Sequence, residues 1–181
     1  MRRLIFAAAA VFCISTPAFA ALPVGAKAPE FSAPGYQGGK PLTFDLHKAL
    51  KKGPVVLYFF PAAHTAGCNL EAHLFADSID KFHAEGATVI GVTAGNIDQL
   101  KDFSTETEHC AGKFPVAADQ DAVIAKSYDA TSAMHAGFSS RTSYVIAPNG
   151  VITLSYSNPR PDDHISQTLD AVTNLKAAQR K

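Results

Sequence analysis

The sequence predicts an α/β domain with a mixed central sheet, and three observations carry that reading. The runs PVVLYFF (54–60) and ATVIGVTA (87–94) are continuously apolar and rich in β-branched residues, as strands buried on both faces are. Segments with helical spacing alternate with these runs, the pattern of parallel crossovers. Near the end, TSYVIAPNGVITLSY reads as a β-hairpin turning at Pro148, Asn149 and Gly150.

In chain order, the opening VGAKAPEFSAPGYQGGKPLTF is rich in Gly and Pro and reads as irregular, with short β pieces near Phe31 and around Leu42 to Phe44. A short helix over 45–52 is ended by Gly53. After the first buried strand, residues 65–85 place Leu70, Leu74, Phe75, Ile79 and Phe82 at helical spacing, stopped by Gly86. The segment NIDQLKDFSTETEH is expected to be a helix with Asn96 as its N-cap. FPVAAD follows as a short strand, AVIAKSYD as a short helix, and DDHISQTLDAVTNLKAAQ as an amphipathic last helix. The order β-α-β-α-β-α-β-β-α matches a thioredoxin-like sheet, with no repeat or linker dividing residues 21–181.

The 181 residues are 47% hydrophobic and 18% charged, enough for one domain with a sizeable core. Sixteen basic side chains balance sixteen acidic ones, and no Lys/Arg run suggests a nucleic-acid groove or an anionic membrane surface. The first 20 residues, MRRLIFAAAAVFCISTPAFA, have an arginine pair, an apolar run over 4–14 and an Ala18-Phe19-Ala20 end. That is the pattern of a secretory signal peptide, with an apolar run shorter than the roughly 20 residues a membrane span needs. The expected mature protein is therefore periplasmic. It keeps 14 basic side chains against 16 acidic, a net of −2, and loses Cys13. Cys68 and Cys110 remain, in a compartment that permits disulfides.

Cys68 falls in the first turn of the helix that follows the central strand. Unpaired backbone N–H groups and the helix dipole there favour an anion, and a thiolate is one. Pro61 closes the strand and is placed to shield the sulfur. Thr65 can bring a hydroxyl beside it from the preceding turn. A small buried hydrophobe is the other role such a cysteine takes. Phe60 and Phe138, with Phe59 or Tyr58, are candidates for pocket walls as well as for core. His64 and His73 flank Cys68, but their spacing does not put all three on one helical face, so a metal there is not expected. The other histidines read as solvated.

The segment YFFPAAHTAGC resembles the active-site stretch P-x-x-x-T-x-x-C of peroxiredoxins. Arg141-Thr142-Ser143-Tyr144-Val145-Ile146 resembles that family's later R-[ST]-x-[FY]-x-I strand. Glu71, three residues after the cysteine, and FPVAAD are similar to features of the peroxiredoxin Q (bacterioferritin-comigratory) subfamily. The resemblance covers about residues 22–175. It implies a thiol peroxidase acting on hydrogen peroxide and organic hydroperoxides. Cys68 would be the peroxidatic nucleophile, Thr65 would orient peroxide and sulfur, and Arg141 would supply positive charge. Amides near 66–68 would complete the donor set.

Two departures matter. Asn69 replaces the Thr common after the cysteine. His73 stands where many subfamily members carry the resolving cysteine. Cys110, on the next crossover helix as some members have it, is the thiol left to resolve Cys68, unless an external thiol does so in a one-cysteine scheme. The resemblance implies no cofactor or metal, a thioredoxin-like or small-thiol reductant, and a monomer or weak homodimer. A thioredoxin-like thiol–disulfide exchanger is the alternative, disfavoured because Thr65 takes the first position of C-x-x-C. A binding or metallochaperone module would need clustered soft ligands.

Overall fold

The structure, a computed structural model, describes residues 21–179. Its centre is the strand the apolar run predicted, β3 (Val55–Phe59), in which every residue is buried. β4 (Thr88–Thr93) pairs parallel to one side of it, and β5 (Val116–Ala118) pairs parallel to β4. On the other side β6 (Thr142–Ile146) runs antiparallel to β3, and β7 (Ile152–Ser157) folds back on β6 through the Pro148-Asn149-Gly150 turn. The sheet is completed by β1 (Ser32–Gln37), antiparallel to β5, and β2 (Lys40–Asp45), giving the order β2-β1-β5-β4-β3-β6-β7. This seven-stranded mixed sheet is the thioredoxin-like arrangement expected.

The Gly/Pro-rich opening is more regular than its composition suggests. Gly38 and Gly39 both have positive φ, 55° and 74°, so the pair closes a tight hairpin that β-branched residues could not adopt. Asp45 then caps α1 (Leu46–Leu50), its carboxylate accepting from the Lys48 amide at 2.9 Å.

β3 alternates between the two faces of the sheet. Val56, Tyr58 and Phe60 join a core with α2 (Ala66–Ala84) and α5 (Asp162–Gln179); Val55, Leu57 and Phe59 join a second core with α1 and α4 (Val123–Ser127). On α2 the buried positions are Cys68, Glu71, Ala72, Phe75, Ala76, Ile79 and Phe82, whereas Leu70 is 43% exposed. Cys68 thus belongs to the inward face of its helix.

The second crossover departs from expectation. The helix over 96–109 is only a 3-10 turn over 97–99 and α3 (Leu100–Phe103), followed by turns as far as Lys113. Apolar spacing stops at Phe103, and the polar STETE stretch offers no face to bury. Asn96 is left-handed, with φ 53°, and spends its amide on the Ala63 carbonyl at 2.8 Å instead of capping a helix.

Gly35 marks the closest approach between β1 and β5: a Cβ there would lie 2.2 Å from the Val116 carbonyl oxygen. Gly35→Ala is therefore expected to lower stability by about 1–3 kcal/mol, read as a shift of the urea midpoint at unchanged slope.

Candidate active site

The first turn of α2 follows directly from β3. Phe60 continues the strand's pairing by donating to the Val92 carbonyl at 3.1 Å, and Pro61, His64 and Thr65 lead into the helix. Thr65 is the N-cap, with extended backbone (φ −109°, ψ 144°). Its carbonyl accepts from the amides of Cys68 (3.0 Å) and Asn69 (2.8 Å). Its hydroxyl donates to the Ala62 carbonyl at 3.0 Å, which fixes the loop rather than capping the helix. The Cys68 amide is thus occupied, and of the expected donors the amides of Ala66 and Gly67, the first two of the helix, are the ones left without a helical acceptor.

The pairing of Phe59 with Thr142 places Arg141 beside this turn. The guanidinium Nη2 lies 3.6 Å from Cys68 Sγ, Nη1 pairs with Glu71, and Nε donates to the Pro159 carbonyl at 3.0 Å. Gly67 makes room for it, since a Cβ there would meet Arg141 Nη2 at 3.0 Å. Burial works against the Arg141 charge, but Glu71 and Cys68 outweigh it and push the pKa further up. Arg141 is a fixed cation aimed at the sulfur.

Glu71 enters the sequence reading only as a subfamily likeness, and the structure makes it the hydrogen-bond partner of Arg141 at the site. Its side chain is fully buried, and burial raises its pKa to about 8 although Arg141 pulls the other way. Its second oxygen, Oε1, has no hydrogen-bond partner and lies 3.6 Å from His164 Nδ1. His164 is itself completely buried, with Nδ1 2.7 Å from the Ser143 hydroxyl and Nε2 3.0 Å from the Asn158 carbonyl. Burial lowers its pKa, so it is a neutral core histidine and not the solvated one expected.

A cleft of about 360 Å³ is lined by Pro61, Met134, Phe138, Arg141 and Pro159 among others. Pro61 and Phe138 line this cleft, while Tyr58, Phe59 and Phe60 are core. Cys68 is 1% exposed and contacts Arg141, which lines the cleft.

Cys110 lies outside any helix, in the turns that follow α3, and is completely buried. Both cysteines are free thiols in the same core cluster, with Tyr58, Phe60, Phe103 and Phe114. Burial, with Glu106 adding to it, holds the Cys110 thiol far above its ordinary pKa. Ala111 and Gly112 on its C-terminal side are both left-handed, and Lys113 ties the segment to the Ala76 carbonyl of α2 at 2.9 Å. His73, in the position of the missing cysteine, faces Asp77 at 3.4 Å.

Residues 24–155 match the AhpC/TSA family. The chain is 32% identical over 159 residues to a chloroplastic peroxiredoxin Q of Sedum lineare, covering 87% of this chain and 82% of that protein. It is 34% identical over 161 residues to the chloroplastic peroxiredoxin Q of Arabidopsis thaliana, covering 88% and 70%. The crystal structure of peroxidoxin BcpB from Mycobacterium tuberculosis superposes with a TM-score of 0.71 at 25% identity, covering 84% of this chain and 97% of that one. A reduced 2-Cys peroxiredoxin of Plasmodium vivax shares the fold, with a TM-score of 0.74 at 20% identity. The curated relatives are chloroplastic, which overturns the periplasmic assignment. An Arg-bearing, acid-free opening is common to secretory leaders and to transit peptides, so its charge does not choose between them. Residues 1–20, including Cys13, lie outside the described residues.

The raised pKa of Glu71 gives a signed expectation. Between its ordinary 4.5 and about 8, the folded state holds a proton that the unfolded state releases. That contribution to stability is fully present below 4.5 and is lost as pH rises through about 8. Glu71→Gln is expected to flatten this fall, checked by comparing wild-type and variant urea melts across the window.

Proposed function

The chain belongs to the AhpC/TSA family and is a thiol-dependent peroxidase, and from that premise we propose that Cys68 is its peroxidatic sulfur, activated by Arg141. The observation that carries this reading is the 3.6 Å approach of a buried, fixed guanidinium to the one thiol in the first turn of a helix.

The Cys68 thiolate attacks one oxygen of the hydroperoxide. The S–O bond forms as the O–O bond breaks, leaving a sulfenic acid and an alkoxide or hydroxide that takes up a proton. Arg141 holds positive charge where negative charge moves from sulfur to the leaving oxygen, and the amides of Ala66 and Gly67 add donors without reorganising. Thr65 holds the loop by donating its hydroxyl to the Ala62 carbonyl, and in this proposal its hydroxyl oxygen orients the peroxide. Pro61 walls the approach. Glu71 is a positioning residue: it orients Arg141 and does not meet the substrate.

Cys110 is the resolving thiol in this proposal. Its attack on the sulfenic acid forms the disulfide and releases water. A thioredoxin-like or small dithiol reductant then restores both thiols by exchange. Both sulfurs are buried and Cys110 has its proton held on it, so resolution requires the 104–113 turns and the first turn of α2 to open locally. The same reading takes residues 21–181 as the catalytic domain, residues 1–20 as a removable leader, and the assembly as a monomer or weak homodimer.

One equivalent of hydrogen peroxide, followed by alkylation and mass spectrometry, tests the scheme on reduced protein. A Cys68–Cys110 disulfide is expected, and oxidation of Cys68 with Cys110 left free would assign a one-cysteine enzyme instead. Cys68→Ser should abolish peroxide consumption. Cys110→Ser should keep the first oxidation and stall turnover with a thioredoxin-type donor. Arg141→Ala should slow the first oxidation by about 100-fold or more, the scale of losing one preorganised donor; an unchanged rate would remove Arg141 from the chemistry.

A further inference from the structure

We propose that His64, Glu106 and His109 form a binding site for a divalent metal ion of the zinc class, joining the Cys68 loop to the Cys110 segment. The sequence reading pairs His64 with His73 around Cys68. The structure sends His73 to Asp77 and His64 the other way, across to the turns after α3. There His64 Nε2 lies 2.8 Å from Glu106 Oε2, and His109 Nδ1 lies 2.6 Å from the same oxygen. All three ligand atoms fall within 4.8 Å of one another.

The ring of His64 is also held from its other side. His64 Nδ1 lies 2.8 Å from Gln99 Oε1, an acceptor that holds the ring proton on Nδ1. That leaves His64 Nε2 facing the Glu106 oxygen, where a proton or a metal ion can bridge the two. His109 is 8% exposed, and its Nδ1, although 2.6 Å from Glu106 Oε2, is buried without a hydrogen bond. A metal accepts both nitrogen lone pairs and the carboxylate at once.

The donor set suits zinc: two imidazoles and a carboxylate, at bonds of about 2.0–2.2 Å, with remaining positions open to water. Tetrahedral ligands at those bond lengths stand roughly 3.3 Å apart. The observed separations are a little shorter, and Glu106, 40% exposed at its side chain, is free to swing and open them. The remaining supports are present. Gln99 orients His64, His109 stacks on Phe103 with ring centroids 4.8 Å apart, and His64 meets the edge of the same ring at 5.4 Å. His64 also takes a left-handed backbone, φ 58°, unusual for a residue with a side chain.

The site has a consequence that rests on the resolving role proposed for Cys110. His64 precedes the N-cap of α2, and His109 precedes Cys110. An ion held by both clamps the two segments that must open for the disulfide to form. Bound zinc therefore slows resolution without touching either sulfur.

The test uses purified, reduced full-length protein titrated with zinc chloride against a chromophoric chelator. One ion per chain is expected. Affinity should fall at least about tenfold in His64→Ala, His109→Ala and Gln99→Leu, and should be kept in Cys68→Ser and Cys110→Ser. Circular dichroism verifies folding of each variant. Cobalt(II) in place of zinc should show a ligand-field spectrum free of thiolate charge transfer. No stoichiometric binding, binding indifferent to the folded Gln99→Leu and histidine variants, or binding lost with a cysteine would overturn the site. Zinc should also slow the peroxide-driven disulfide in the wild type and not in His109→Ala. Binding through the histidines with an unchanged disulfide rate would overturn the clamp, whereas failure of Cys68 to oxidise without zinc would count against the peroxidatic assignment and leave the metal site standing.

Discussion

The Arg141 guanidinium, held between the Cys68 sulfur and the Glu71 carboxylate, is the contact on which the arrangement of the site depends. It joins the start of β6 to the first two turns of α2, so it fixes the angle at which the helix leaves the sheet as well as the charge beside the thiol. Glu71 and Cys68 are three residues apart and share the inward face of one helix, so one side chain reaches both. A buried contact between an acid and a guanidinium is poor evidence for stability, because desolvation of both partners offsets much of their attraction, while removing one partner strands the other at about 3–5 kcal/mol. Its value is in positioning. Without Glu71 the guanidinium keeps only the Pro159 carbonyl and the sulfur, and its direction is no longer fixed from two sides.

The hydrophobic core supports that contact. β3 and β6 are buried along their whole length, and their register leaves no freedom to slide, since a shift of one residue would turn each strand's side chains to the wrong face. Tyr58 packs against Phe75 with ring centroids 4.5 Å apart, and Phe60 against Phe103 at 5.6 Å. This aromatic layer binds the floor of α2 to the crossover that carries Cys110. The two thiols therefore share one rigid cluster although 42 residues separate them in sequence.

Much of this was legible in the residues. The burial of β3 and of most of β4 is written in their apolar runs, and Cys68 stands out because a strand end followed by a helix start is a distinctive place for a sulfur. Arg141 was legible through its motif alone; its charge, read in isolation, looks like any surface arginine. Glu71 and His164 escaped because polar residues on helices are ordinarily exposed, and nothing local announces that both face inward at the same point. The short α3 was legible in principle, since apolar spacing ends at Phe103, but helix-tolerant residues beyond it masked the stop. The Gly38-Gly39 hairpin was hidden by a composition that suits irregular chain equally well. The meeting of His64 with Glu106 and His109 is set by a left-handed turn and a crossover, and sequence spacing carries no trace of it.

In the scheme proposed above, the buried cysteines put two demands on the same few turns. Before reaction, the first turn of α2 must stay wound, because its amides and the nearby guanidinium are useful only in that geometry. After reaction, the same turn must loosen so that a sulfur 1% exposed can meet another that is completely buried. Low local stability would serve the second demand and spoil the first. The structure separates them by placing the restraints at the edges of the moving parts: Thr65 on Ala62, Asn96 on Ala63, His64 on Gln99 and Glu106, Lys113 on Ala76. Each is one side-chain bond worth roughly 0.5–1.5 kcal/mol net, and more where a charge takes part. Such bonds can break one at a time without disturbing the sheet. In that scheme opening follows from loss of the Cys68 thiolate as a partner for Arg141, since a neutral sulfenic acid no longer holds the guanidinium as the anion did. The charge that speeds the first step is in this way also what releases the second.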